Sequence, residues 1–355
     1  MKHTSRLTSD LPVQAILLAW VAGMLWFANA HPDAYNRAMQ EDGFVEWLTV
    51  FLFLAAAVAS FALRKAHRRF GDFLIALFCI FAAGEEISWG QRIFAFVPSE
   101  TFLARNEQQE ANLHNLVEAF GQPKWSLIAI LVGYGVLLPV IARFPATARL
   151  LDRTRTTPPE LPVAAWFVIA IAIEIVYPVR FTGEWAEALV GALFLWGVSR
   201  SPRFTAVGGC VSLLLAAVAS AASAHSSPSD RERITCAQAE VVRIRDAMVS
   251  MGYPPERGGR THRRLGMLWP DSRVDRTVRA ALDSVPCGGD ASTRRARRHE
   301  FGVDPWGNAY WVRIERDSGS ARLRVYSMGA NRRRDHDRIG APAGDDVSAD
   351  AASRR

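Results

Sequence analysis

Seven apolar segments, near residues 11–30, 44–63, 72–97, 125–143, 161–178, 184–200 and 204–223, approach the length of roughly 17 to 25 residues that a transmembrane helix needs. Hydrocarbon offers no hydrogen-bonding partner, so a chain with this pattern must satisfy its backbone within helices. The expected fold class is a membrane all-α part of about seven transmembrane helices, followed by a small soluble α+β domain. Lys2 and Arg6 precede the first segment as they would in a signal peptide. Trp20, Trp26 and the lack of a small-x-small cleavage site favour a retained anchor instead.

Charge divides the chain near Ala224. Residues 1–223 hold 17 Lys+Arg against 17 Asp+Glu, whereas residues 224–355 hold 25 Arg, no Lys and 18 Asp+Glu, so the net +7 belongs to the tail. The expected organisation is a polytopic membrane domain at 1–223, a linker at 224–230, a folded domain at 231–347 and a disordered tail at 348–355. With a cytoplasmic N-terminus, the short inner loops collect Arg64, Lys65, Arg68, Arg69, Arg143, Arg149, Arg153, Arg155, Arg200 and Arg203 beside Lys2 and Arg6. The outer loops keep only Arg37, Arg105, Lys124 and Arg180. This positive-inside bias, with an odd number of spans, places the C-terminal domain on the periplasmic side of a bacterial inner membrane.

Within the third segment, Gly84-Glu85-Glu86-Ile87-Ser88-Trp89-Gly90-Gln91-Arg92 interrupts an apolar run from Phe73 to Ala83. Ionisable groups at membrane depth are costly and face a protein interior or a wet cavity. On a continuous helix of about 100° per residue, Glu85, Ser88 and Arg92 share one face and Glu86 turns away. Two readings follow: a Glu85–Arg92 ion pair that locks helices together, or a polar site. Glu46, Glu174, Tyr177, Glu184 and Glu187 fall at the same outward depth, and the polar 106–115 loop, with His114, caps that side. Carboxylates from several spans at one level favour an outward-facing cavity. The candidate site is Glu85, Glu86, Ser88, Arg92 and His114, with Glu46 and Glu174. Ser88 reads either as a nucleophile that His114 reaches or as a hydroxyl bonded to a helix carbonyl. A proton or ion path uses the same residues.

The Glu41–Trp47 stretch, the Gly84–Arg92 motif and Asn112-Leu113-His114-Asn115 together resemble a type of bacterial multi-pass membrane protein over residues 10–200. That resemblance carries no activity. A weaker one is to the seven-span hydrolase group that includes the alkaline ceramidases, which holds zinc among several histidines. Here only His31 and His114 lie near the cluster, and no His-x-x-x-His pair occurs. A zinc site would therefore need His114 with carboxylates.

In the tail, Ile234, Ala237, Val241, Ile244, Met248 and Met251 form one apolar stripe, which predicts a helix over 231–251 stopped at Gly252-Tyr253-Pro254-Pro255. Residues 309–314 and 322–327 read as a hairpin about Asp317-Ser318-Gly319-Ser320. Asp304-Pro305-Trp306-Gly307-Asn308-Ala309-Tyr310, then Val325-Tyr326-Ser327-Met328-Gly329-Ala330-Asn331 and Gly344-Asp345-Asp346-Val347, resemble the C-terminal domain of the major pseudopilin of type II secretion. The resemblance spans 231–347. It implies calcium in the last loop, held here by Asn331, Asp345 and Asp346, against which stands a solvated polar loop. Phe204 follows Arg203, but Gly208 occupies the place of the pseudopilin glutamate, so leader processing is not expected.

Cys79 and Cys210 lie in apolar runs, whereas Cys236 and Cys287 stand alone in the tail, either as a disulfide or as two thiols. The tail arginines lack an aromatic stacking platform, so no nucleic acid is expected. The bilayer and an envelope protein are the expected partners. The sequence leads to an envelope scaffold or assembly component; the alternative is a membrane-embedded hydrolase or an ion- or proton-coupled transporter.

Overall fold

The computed structural model describes residues 4–39, 43–67, 70–90, 94, 123–154, 156, 158–199, 201–226, 230–253, 261–265, 272–283, 304–306, 310–317, 320–329 and 347–352. They divide into two compact units, one drawn from Met1–Gly90 and Ala111–Ala224 and one that includes His225–Arg355.

The first unit is helical. Its elements are α1 (Thr4–Ala30), α2 (Pro32–Ala38), α3 (Phe44–His67), α4 (Phe70–Glu86), α5 (Pro123–Ile130), a π-helical stretch (Leu131–Leu137), α6 (Leu138–Ile141), α7 (Pro145–Thr154), α8 (Leu161–Val176), α9 (Thr182–Ser199) and α10 (Pro202–Ser226). Among the described residues, three helices are long and apolar enough to cross a membrane: Asp10–Ala30, Phe44–Ala62 and Pro202–Ser223. A fourth span is possible in length and composition if Trp125–Ile141 and Pro145–Thr154 act together, although they meet at a bend of 119°. The 161–178 segment is a shorter apolar helix, Leu161–Val176. It ends because Tyr177 precedes Pro178, whose ring disfavours right-handed helix in the residue before it, and Tyr177 turns left-handed at φ 49°.

One expectation fails at the third segment. The helix stops at Glu86 instead of running on toward 97, and Ser88, Trp89 and Gly90 follow in a turn with φ of 47°, 52° and 78°. Non-glycine residues rarely hold that conformation, so packing must supply the compensation. Gly84 permits it: a Cβ there would lie 3.0 Å from the Trp89 ring.

The core of this unit forms around α9, which is buried on every side from Trp185 through Val198 apart from Glu187 and Ala192. A helix apolar all round belongs in an interior. Leu52, Phe53 and Ala56 of α3 and Ala76 and Cys79 of α4 pack with Leu189, Leu193 and Phe194 in one cluster. Gly191 lets α3 approach, since a Cβ would stand 3.0 Å from that of Leu52. Phe194 gathers rings from three further elements: Phe78 at 5.0 Å, Tyr134 stacked at 4.9 Å and 6°, and Phe167 edge-on at 5.6 Å. Burial then falls outward. The apolar window of α3 is 56% buried, whereas those of α1 and α10 are 11% and 17% buried, leaving Ile16, Leu18, Val207, Leu214 and Val218 exposed. That inside-out pattern suits lipid as the surrounding solvent.

The second unit is α+β. Helices α11 (Asp230–Ser250) and α12 (Ser272–Asp283) accompany strands β1 (Thr261–Arg264), β2 (Trp311–Asp317), β3 (Ser320–Ser327) and β4 (Val347–Ala352). The strands form an antiparallel sheet in the order β1-β2-β3-β4. The pairing Asp317↔Ser320 closes the expected hairpin, Trp311↔Tyr326 opens it, and Ser327↔Val347 starts the last ladder. Ala237, Val241, Ile244 and Met248 of the expected stripe are buried with Val312, Ile314, Leu323 and Val325. Gly252 ends α11 at φ 89°, where Gly252 N donates to Val249 O and Tyr253 N donates to Met248 O, both at 2.9 Å. This is a Schellman cap.

Two boundaries change. Helix α10 runs to Ser226, so the linker expected at 224–230 is narrower. Residues 348–352, expected to be disordered, belong to the edge strand β4. Composition concealed this strand, because its one strong anchor is a long-range ion pair: Asp350 takes Arg324 bidentately, at 2.6 Å from Nε and 2.7 Å from Nη2. Arg324 is 1% exposed, so losing its carboxylate leaves a buried cation. Asp350→Ala is expected to destabilise the second unit by about 2 kcal/mol, discounted from a fully buried pair because Asp350 is partly exposed. Hydrogen exchange in the full chain would then accelerate first at 347–352, with Asp350→Asn intermediate; unchanged exchange would refute the anchoring role.

Candidate functional site

The end of α4 faces two environments. Glu85 is buried and accepts a hydrogen bond from Trp89 Nε1 at 2.5 Å, which ties the left-handed turn back to the helix. Ser88, 1% exposed, lies inside that turn and off the helical face that would have aligned it with Glu85. The expected Glu85–Ser88–Arg92 stripe is therefore not continued by helix at Ser88; Arg92 itself lies outside the described residues.

Glu86, expected to point away, is the residue that meets other carboxylates. Its side chain meets that of Glu187 of α9, with Glu46 of α3 and Glu184 of α9 close by. Glu187 senses Glu184, Glu174 and Glu46 in turn. Glu174 is buried on α8, while Glu46, Glu86, Glu184 and Glu187 are half-buried. Four helices thus supply five carboxyl groups to one region.

A hydrogen bond between two carboxyl groups requires a proton on one of them, since two carboxylates offer only acceptors. The Glu86–Glu187 contact joins α4 to α9. Glu46, Glu174 and Glu184 set its electrostatic surroundings. Among the described residues, no three or more His, Cys, Asp and Glu side chains converge as a metal-binding group.

A polar frame stands beside this cluster. Trp185 Nε1 donates to the Tyr35 hydroxyl at 3.0 Å, and that hydroxyl donates to Arg180 O at 2.7 Å. Burial pushes the Tyr35 phenol up to about 12, so it keeps its proton and its role as donor. Trp20 Nε1 donates to Trp185 O at 3.1 Å, joining α1 to α9. Thr182 Oγ1 donates to Val179 O at 2.6 Å and fixes the start of α9, from which Glu184 and Glu187 project.

The remaining expected site residues separate. His114, Asn331, Asp345, Asp346 and Cys287 lie outside the described residues. Cys236 is buried on α11, and Cys79 and Cys210 are free thiols. Asp304, which opens the Asp-Pro-Trp-Gly-Asn motif, is a structural staple: Trp306 N donates to its Oδ1 at 2.9 Å and Ser327 Oγ donates to its Oδ2 at 2.5 Å. Gly329 N in turn donates to Ser327 Oγ at 2.9 Å. The two motif segments meet there. Sequence reasoning passed over Tyr35 and Trp89; the i, i+4 spacing of Glu85 and Trp89 was a usable signal for the second, and nothing local marked the first. No family model, curated protein or solved structure matches this chain.

A proton shared between Glu86 and Glu187 would have a spectroscopic signature. Infrared spectra of the protein in lipid are expected to contain the C=O stretch of a protonated carboxyl group, and Glu86→Gln or Glu187→Gln should each remove it. If the band is absent from the wild type, the pair does not share a proton.

Proposed function

We propose that this chain is an integral inner-membrane protein of the bacterial envelope whose membrane unit moves or stores protons at the Glu86–Glu187 pair. The observation that carries this reading is the meeting of two carboxyl groups from different helices, with three further glutamates beside them. Intramembrane carboxyl groups of this kind mark proton and ion pathways. A hydrolase is favoured less, because Ser88 sits in the left-handed turn, off the helical face it would share with Glu85 and Arg92. In this reading seven segments span the membrane, the N-terminus is cytoplasmic and the α+β unit is periplasmic.

A second reading makes the α+β unit the working part, as a pseudopilin-like module in an envelope scaffold. It is favoured by the apolar side chains of Ile234, Val242 and Val249, which stay 36%, 38% and 44% exposed on α11 and offer a surface to a protein partner. Complementation of a deletion strain under envelope stress separates the two. On the first reading, the Glu86→Gln, Glu187→Gln double variant fails at normal expression while a chain lacking 231–352 restores growth. The reverse outcome overturns the proton reading and directs attention to the tail.

Export of the tail makes its own prediction. In this proposal Cys236 pairs with Cys287. Asn331, Asp345 and Asp346 hold calcium, with the acidic pair directly ahead of β4. Protein taken from membranes is expected to resist alkylation at Cys236 and Cys287 until reduced, and added calcium should raise its Tm unless Asp345 and Asp346 are alanine. Free alkylation at both cysteines would place the tail in the cytoplasm.

A further inference from the structure

One side of the membrane unit carries an apolar groove of about 650 Å³ between α1, α3, α9 and α10. Its walls include Val13, Leu17, Leu52, Leu189 and Leu213, and its floor is opened by Gly209. At one end stand Ser201, Arg203 and Thr205, at the start of α10. The polar groups are concentrated there. Ser201 Oγ accepts from Phe204 N at 3.4 Å and caps the helix, while Arg203 is exposed and has no hydrogen-bonding or ionic partner among the described residues.

The dimensions favour one occupant. From Ser201 to Leu213 the wall of α10 extends about 18 Å at 1.5 Å per residue, close to the roughly 15 Å depth of one leaflet of a bilayer core. The groove opens between α1 and α10, the two helices whose apolar windows are 11% and 17% buried. A lipid tail therefore reaches it laterally without crossing a polar barrier. Arg203 belongs to the arginine-rich side of the membrane unit, which is the cytoplasmic side by the positive-inside bias, where the leaflet carries anionic headgroups. An exposed cation at the headgroup end and an apolar trough one leaflet deep are the two halves of a phospholipid site.

We propose that this groove binds one acyl chain of an anionic phospholipid, with its phosphate on Arg203. The proposal rests on the membrane reading above and on no feature of the glutamate cluster.

Full-length protein extracted from membranes can be incubated in detergent with phosphatidylglycerol and phosphatidylcholine of identical acyl chains, and retained lipids counted by native mass spectrometry. Phosphatidylglycerol is expected to be retained about fivefold over phosphatidylcholine, the preference that one arginine gives at a headgroup surface. Arg203→Gln should bring the two lipids to equal retention. Gly209→Leu should lose both, because a Cβ at Gly209 meets nothing within 4 Å and the leucine enters the open trough. Gly209→Ala controls for the helix and keeps the lipid. Equal retention of the two lipids by the wild type, or unchanged retention by Gly209→Leu, overturns the proposal, as does a lipid-free dimer that Gly209→Leu splits. A protein that carbonate washes off the membrane would overturn the membrane reading as well, which the lipid ratios alone do not touch.

Discussion

The architecture of the helical unit depends on burying nearly all of α9 while it still carries two glutamates. Helices α3, α4, α8 and α10 can enclose its apolar surface only by leaving Glu184 and Glu187 against something polar. The protein meets this requirement by bringing Glu86 and Glu46 to the same place from α4 and α3. Glu86 reaches it because α4 ends there, and α4 ends there because the chain enters a left-handed turn held by Trp89 on Glu85. The two adjacent carboxyl groups thus divide their tasks. Glu85 fixes the backbone, and Glu86 serves the cluster. A rearrangement of the turn would therefore be felt at Glu86 and its Glu187 partner.

Much of this was legible in the residues. Apolar runs revealed the helices around 11–30, 44–63 and 204–223, because hydropathy and length are properties of a single segment. The stripe of α11 and the Asp317–Ser320 hairpin were legible for the same reason: their signals are local periodicity and turn chemistry. The depth argument also placed Glu46, Glu174, Glu184 and Glu187 together. What misled was the assumption that one helix continues through 84–92. A tryptophan at φ 52° has no sequence signature, so the wheel put Glu85 on one face with Ser88 and Arg92 and turned Glu86 from that face, although both were candidate site residues. Likewise, Val347–Ala352 reads as a small, polar chain end, and only its pairing with β3 and the Arg324–Asp350 bridge makes it a strand.

The α+β unit shows how a motif can be structural without being inert. Asp304 receives both the Trp306 amide and the Ser327 hydroxyl, which draws the Asp-Pro-Trp segment against the end of β3. Trp306 and Tyr310 are then buried in the core, and the Tyr310 hydroxyl reaches Glu240 on α11. Gly329 and Val347 are thereby held at the same end of the sheet, the first by the Ser327 hydroxyl and the second by its pairing with Ser327.

The π-helical stretch Leu131–Leu137 bears on evolution. Each π turn accommodates one residue more than an α turn, so this stretch absorbs surplus chain without breaking the helix. It also sets the direction of Tyr134, whose ring lies parallel to Phe194 at the centre of the unit. Deleting one residue there would rotate Tyr134 by about 100° and take it off the stack, whereas many substitutions at Val132 or Val136 would leave the helix register as it is. Across descendants of this chain, Val132 and Val136 should drift while Leu131, Tyr134, Gly135 and the length of the segment stay constant, since Leu131 is fully buried and a Cβ at Gly135 would lie 2.2 Å from the Phe167 ring. The spacing between Pro123 and Pro139 would then be a more durable mark of common ancestry than the residues within it.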